Sequence, residues 1–399
     1  MISETMKRLG TGGCVIREIA AYSQQRKAEI GRENVFDFSI GNPSIPTPAV
    51  VQQTMQKLLE ESDPVVLHGY TPASGDMTVR QRLAQNITRR FGVPADPALM
   101  YMTCGAAASL TISLKAIAKA GDEVILLAPF FTEYPVFVEN AGAKPVVVPC
   151  RPGDFQLDLQ ALEAAINEKT RAVLINCPNN PSGVVYGEEA IQGLSDLLRK
   201  KAAQFGRSIT ILADEPYREL VYEGAQAPFI PKYYDDTIVC YSYSKSLSLP
   251  GERIGYIFVP PAAPMAQDVY AAICGAGRAM GYICAPSLLQ HTVALCDGLP
   301  PELSLYDENR VRLYQALTEI GYEVVYPQGA FYLFMKALEE DANAFYEKAK
   351  KYELLVVPSD DFGVTGYVRI AYCVSLQQIQ RSLPAFRKLY DDYKKENAR

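Results

Sequence analysis

The 399-residue chain reads as an α/β protein with one large, mostly parallel seven-stranded sheet flanked by helices and a second, smaller α+β domain. Three observations predict this. Between about residues 99 and 259, short β-branched runs alternate with segments of helical length, which is the pattern of parallel strands joined by crossover helices. After Pro286 the pattern changes to fewer strands and longer helices. The composition, 48% apolar and 21% charged, is that of an ordinary globular protein, and the length fits two domains at roughly 100–200 residues each.

The strands expected in the large domain are LMYMT, EVILLA, PVVVP, RAVLIN, SITILA, TIVCYSY and IGYIFV. One intervening helix is legible at 158–167, where Leu159, Leu162, Ala165 and Ile166 share a face. Beyond Pro286 the expected order is a helix at 302–320, strands at EVVY and AFYLF, a helix at 341–351, a strand LLVV, a strand YVRIAY and a terminal amphipathic helix. The segment before Pro46 is too short for a core of its own and is assigned to the smaller domain. The expected division is therefore 46–285 for the large domain, with 1–45 and 286–399 forming the small one. The charged tail DDYKKENAR reads as a solvated, fraying helix end.

Several function classes are excluded. Thirty-nine Lys plus Arg against 45 Asp plus Glu gives a net charge of −6 with no basic block, so binding to nucleic acid has no electrostatic basis. Nine cysteines with no CxxC pair read as buried thiols in a reducing compartment, and no metal site is expected. The first ten residues carry Glu4 and no apolar core, so no secretory signal is expected. The longest uncharged run, 279–296, is interrupted by Pro286, Gln290 and His291 and reads as a core helix instead of a membrane span. These features predict a soluble cytoplasmic protein.

Ligands of open α/β sheets bind beyond the carboxyl ends of the strands, and four such places carry unusual residues. LMYMT ends in Cys104-Gly105-Ala106-Ala107 at a helix start, which is either a tight turn or a phosphate cradle of exposed N–H groups. RAVLIN runs into Pro178-Asn179-Asn180-Pro181-Ser182-Gly183, a stiff turn that also holds an amide rigidly. SITILA ends in Asp214-Glu215-Pro216-Tyr217, where Asp214 is either a helix N-cap or a carboxylate awaiting a partner. TIVCYSY leads to Ser244-Lys245 and then Gly251-Glu252-Arg253, a lysine among hydroxyls with an arginine nearby. Such a lysine is either a solvated loop residue or an imine-forming nucleophile.

Taken together, NNPSG, DEPY and SYSK with the later GER resemble the class I aminotransferases of the fold-type-I pyridoxal-phosphate enzymes, aspartate aminotransferase among them, over roughly residues 35–385. The resemblance implies pyridoxal 5'-phosphate as cofactor and a role for each matching residue. Lys245 would form the internal aldimine and shuttle the proton, and Asp214 would keep the pyridine nitrogen protonated. Asn180 and Tyr217 would hydrogen-bond the phenolic oxygen. Ser242, Ser244 and Arg253 would bind the phosphate together with the N–H groups of Ala106 and Ala107. Phe131 falls where an aromatic stacks on the ring, often a tryptophan in relatives, although this chain contains none. Tyr70 matches a tyrosine lent to the phosphate across a homodimer interface.

The resemblance also places substrate groups. Arg369 would clamp the α-carboxylate, although an arginine within an apolar strand also suits an internal ion pair. Gly41 would offer a backbone N–H from a closing loop, and Arg278 would select acidic side chains, although it also suits a surface helix. Two departures are Glu252, where an aromatic is common, and residues 358–361, where a glycine turn is usual. The implied reaction is ping-pong transfer of an amino group from an L-amino acid to a 2-oxo acid through pyridoxamine phosphate, in a homodimer. By family habit glutamate and 2-oxoglutarate form one pair, with aspartate or another amino acid in the other. A C–S β-lyase and a non-catalytic cofactor-binding regulatory module are the alternatives.

Overall fold

The computed structural model describes residues 2–12 and 15–397; Cys14 and the last two residues of the charged tail lie outside them. Two compact units are present, one made of residues 45–303 with 328–330, the other of residues up to 44 with 304–327 and those from 331 onward.

The large unit contains a seven-stranded sheet. Its strands are β1 (Met100–Thr103), β2 (Glu123–Ala128), β3 (Lys144–Pro149), β4 (Thr170–Asn176), β5 (Thr210–Asp214), β6 (Thr237–Ser242) and β7 (Gly255–Phe258), in the order β1-β7-β6-β5-β4-β2-β3. The pairs β2–β3, β2–β4, β4–β5 and β5–β6 are parallel, whereas β7 runs antiparallel to both neighbours. The reversal follows from the connection, because between β6 and β7 there is only a one-turn helix, Tyr243–Ser246, too little to cross over the sheet. Central strands are covered on both faces, so the middle residues of β4, β5 and β6 are continuously buried and mostly apolar instead of alternating. The edge strand β3 carries Pro145 and Pro149 and is partly exposed, which blunts it against further pairing.

The helix at Ser287–Cys296 packs on the helices Ala49–Glu61 and Met77–Phe91. It buries Leu289, Val293 and Cys296, while Gln290 accepts from Asp76 N and donates to Thr71 and the Ala285 carbonyl. Residues 286–303 therefore belong to the large unit, and its boundary lies at 303/304, later than the break expected at Pro286. The uncharged run 279–296 is likewise not one helix: Gly281, at φ +76°, ends the helix Ala266–Met280, and Pro286 caps the next. Among the described residues no helix is long and apolar enough to cross a membrane.

The small unit holds a four-stranded antiparallel sheet of β8 (Val324–Val325), β9 (Tyr332–Lys336), β10 (Val357–Pro358) and β11 (Tyr367–Ala371), ordered β10-β11-β9-β8. The expected LLVV strand divides in two. Leu354–Leu355 pairs in parallel with Phe36–Asp37, tying the N-terminal segment into this unit, and Val357–Pro358 joins the larger sheet. Asp341 caps the helix Ala342–Lys350 by accepting from the N–H groups of Asn343 and Ala344. Phe38, Phe331, Phe334, Phe362, Leu317 and Phe386 fill this unit's core.

Candidate active site

The carboxyl ends of β1, β4, β5 and β6 and the start of β7 carry most of the expected residues. β5 ends in Asp214, whose side chain is buried at 5% exposure. Its Oδ2 accepts the Tyr134 hydroxyl at 2.5 Å, and its Oδ1 is buried without a hydrogen-bond partner among the described residues. Burial pushes the Asp214 carboxyl up to about 7, with the charge of Glu215 adding to the rise and the Tyr134 bond opposing it. The N-cap alternative fails because residues 215–219 form a turn and no helix begins there. A buried carboxylate with one idle oxygen is unfavourable unless a cation or donor completes it.

The turn after β4 is braced by two asparagines. Asn176 accepts the Asn180 N–H at 2.8 Å through Oδ1 and donates through Nδ2 to the Asp214 carbonyl at 2.9 Å. Asn179 Oδ1 accepts both the N–H and the hydroxyl of Ser182. The peptide bonds before Pro129, Pro178 and Pro181 are cis. Asn180 and Tyr217 are both buried here, at 5% and 6% exposure.

At the end of β6, Ser242 caps the one-turn helix that carries Ser244 and the half-buried Lys245. The hydroxyls of Ser242 and Ser244 lie 2.7 Å apart, and Arg253 Nη1 donates to Ser244 at 3.4 Å and to the Pro250 carbonyl at 3.0 Å. Arg253 itself has a left-handed backbone, φ 51°, strain that is found where a side chain must be aimed. Its guanidinium lies against Gly105, where an added Cβ would sit 2.8 Å from Nη2. Gly105, at φ 87° and ψ 175°, precedes the helix Ala106–Ile117 and offers no side-chain cap. Half-buried Ala106 and exposed Ala107 open this helix, so their N–H groups have no acceptor within it.

Other expected residues are placed differently. Phe131 is half-buried and meets Tyr134 edge-on, ring centroids 5.7 Å apart at 82°. Tyr70 is 99% exposed in the large unit. Arg278 is exposed in the last turn of Ala266–Met280. Gly41 and Arg369 belong to the small unit. Arg369, 2% exposed in β11, donates to the Ser39 carbonyl and lies over the rings of Tyr332 at 4.7 Å and Phe362 at 5.3 Å. Any side chain at Gly41 would collide with the Tyr332 hydroxyl. The turn after Pro358 closes on Gly363 at φ +82°, so a glycine does serve there, just past the stretch in which it was sought.

Sequence reasoning missed Tyr134 and Asn176. Nothing local distinguishes Tyr134 from the other tyrosines among the 25 in the chain; Asn176, at the carboxyl end of a strand otherwise apolar, was a readable signal. The donor set fits a phosphorylated pyridine aldehyde on two observations: the idle, buried Oδ1 of Asp214, and the Gly105 cradle that a Cβ would fill beside Arg253. Lys245 is the amine such an aldehyde requires. Among the described residues there is no cluster of His, Cys, Asp and Glu able to hold a metal.

Comparison with known proteins gives the family. The sequence pattern of the family described as aminotransferase class I and II matches residues 33–386. A probable aspartate/prephenate aminotransferase of Thermus aquaticus is 29% identical over 90% of this chain and 93% of its own length. A probable N-acetyl-LL-diaminopimelate aminotransferase of Bacillus subtilis is 29% identical over 88% of each chain. Among solved structures, an amino transferase from Eubacterium rectale is 53% identical with a TM-score of 0.97, covering 98% of this chain and 99% of that one. Aspartate aminotransferase from Thermus thermophilus with maleate is 25% identical with a TM-score of 0.85, over 98% of this chain and 100% of that one. With the fold-type-I architecture, the strand-end residues and a family match that runs from the N-terminal segment into the last helix, the chain belongs to the class I and II aminotransferases.

Proposed function

We propose that the protein uses pyridoxal 5'-phosphate to move the amino group of an L-amino acid to a 2-oxo acid by a ping-pong mechanism, with glutamate and 2-oxoglutarate as one pair. The observation that carries this is Asp214, a buried carboxylate with an idle oxygen at the end of the strand that pairs with the one leading to Lys245. Pyridoxal phosphate, when bound, supplies an aldehyde that condenses with amines and a ring that accepts the electron pair released at the substrate's α-carbon.

The chain's own groups divide the remaining work. The two serines, Arg253 and the N–H groups of Ala106 and Ala107 bind the phosphate, the arginine by charge-assisted hydrogen bonds. Asp214 Oδ1 holds a proton on the pyridine nitrogen, which its ionised form does and its neutral form does not. Asn180 and Tyr217 donate to the phenolic oxygen, and Phe131 covers the ring. Lys245 Nζ would be the amine that holds the cofactor's aldehyde and the base that takes the proton from the substrate's Cα. Arg369 and the Gly41 N–H receive the substrate's α-carboxylate. Arg278 receives a second carboxylate in acidic substrates. Tyr70, exposed on its own protomer, reaches the phosphate of a partner in a homodimer. The relatives' names cover aspartate, prephenate, N-acetyl-diaminopimelate and aromatic amino acids. The substrates they name differ in side chain, so they support the amino-transfer chemistry and leave the donor to experiment.

The test is an absorbance spectrum of the purified protein loaded with pyridoxal phosphate, before and after adding single L-amino acids without any oxo acid. A band of the lysine-bound cofactor that is absent in Lys245→Ala and converts to a pyridoxamine band with certain amino acids is the expected result. Release of pyruvate and a thiol from cystathionine, without that conversion, would mean a lyase. Failure to bind pyridoxal phosphate at all would overturn the assignment.

A further inference from the structure

Tyr134 opens the helix Tyr134–Asn140 and is 1% exposed. Its ring is fixed edge-on against Phe131, so packing, and not only its hydrogen bond, sets where the hydroxyl lies. That hydroxyl donates to Oδ2 of Asp214, while Oδ1, on the same carboxylate, has no hydrogen-bond partner among the described residues. A phenylalanine would fill the same volume, so the oxygen is there for the carboxylate.

We infer that Tyr134 is the positioning residue for Asp214: its hydroxyl pins Oδ2 and thereby presents Oδ1, in ionised form, to the protonated ring nitrogen of the cofactor. This rests on the role proposed above for Asp214. The titratable groups that bear on the pair are Glu215, the next residue along and paired with Arg218, Tyr217 in the following turn, and Cys240, which faces Asp214 across the β5–β6 ladder. Burial and the neighbouring Asp214 hold the Tyr134 phenol well above its usual value, so it remains a donor throughout the working pH range. A donor bond to a carboxylate favours the charged form, and that is the form a cationic ring nitrogen needs.

The experiment measures equilibrium binding of pyridoxal phosphate to the apo forms of the wild type, Tyr134→Phe, Asp214→Asn and the double variant, from about pH 6 to about pH 8.5. Tyr134→Phe is expected to bind on the order of tenfold more weakly at neutral pH, the size of a hydrogen bond to a charged group. The deficit is expected to widen toward pH 6, where loss of the donor leaves more of Asp214 protonated than in the wild type. In the Asp214→Asn background the same substitution is expected to change affinity by less than about twofold. If Asp214→Asn binds as the wild type does, the reading of Asp214 itself falls. If Asp214→Asn weakens binding but Tyr134→Phe does not, or loses the same factor in both backgrounds and at every pH, Tyr134 only fills space and the inference is overturned. Should Tyr134→Phe not fold, Tyr134→His, which keeps a ring donor, is compared with Tyr134→Leu: near-normal affinity in the first alone supports the inference, and equal loss in both refutes it.

Discussion

Asp214 shows at the scale of one residue how a buried carboxyl opposes stability. Its carboxyl is held near 7 by burial, far above the value of about 3.8 from which it starts. Between those values the folded chain keeps a proton that the unfolded chain releases, so this group's contribution to stability falls as pH rises from about 4 to about 7 and stays low above that. Replacing it with Asn removes the charge and keeps an acceptor for Tyr134. In the apo-protein Asp214→Asn is therefore expected to be stabilising at about pH 8, on the order of 1–3 kcal/mol, and close to neutral at about pH 5. Urea unfolding at the two pH values reads this out, and a destabilised variant at the higher pH would show that the native carboxylate is already satisfied. The motif DEPY made Asp214 conspicuous in the sequence. Its partner was not legible, because Tyr134 lies 80 residues away in the chain and only the order of the strands brings β2's exit to the end of β5.

Elements explain why the turn after β1 has the form it does. Gly105 sits at φ 87° and ψ 175°, a region essentially closed to residues with a side chain. Gly255, at the start of β7, is also barred from a side chain, since its Cβ would lie 3.1 Å from Gly105 Cα and against the Tyr241 carbonyl. The two glycines let β1 and β7 approach as antiparallel neighbours while Arg253 turns in beside them. Gly105→Ala is expected to lower stability by about 1–3 kcal/mol through backbone strain, and to weaken pyridoxal phosphate binding further by displacing the Arg253 guanidinium. Thermal unfolding of the apo-protein and a binding titration separate the two effects; unchanged affinity for inorganic phosphate and for pyridoxal phosphate alike would count against a cradle at this turn. The alternation of strands and helices was readable from the sequence because buried parallel strands are continuously apolar. The direction of β7 was not, because a short connection and a crossover of modest length look alike until the pairing is seen. The division of LLVV between two sheets escaped for a similar reason, since no turn residue marks the change of partner at Val356.

For the whole molecule, the division into two units was legible in outline but not in its boundary. Composition shifts at Pro286, yet an apolar helix carries no mark of which unit it packs against, and the one that follows Pro286 is captured by Ala49–Glu61 and Met77–Phe91. Lys245, Asp214, Asn180, Tyr217, Ser242, Ser244 and Arg253 all belong to the unit of residues 45–303, while Gly41 and Arg369 belong to the other. A ligand that binds only the folded chain stabilises it by about 2.7 kcal/mol at a hundredfold excess over its Kd, and local openings that break the site are suppressed by the same amount. Adding pyridoxal phosphate to the apo-protein is therefore expected to slow amide exchange by about a hundredfold in peptides covering 103–109, 176–183, 214–217 and 242–253. Peptides covering Tyr367–Ala371, the strand that carries Arg369, and Tyr332–Lys336, its antiparallel neighbour, are expected to exchange as before until a substrate-like carboxylate is added. Hydrogen exchange read by mass spectrometry decides this. Slowing spread evenly over both units on addition of pyridoxal phosphate alone would mean that the site opens only by global unfolding, and slowing confined to the second set of peptides would place the cofactor elsewhere.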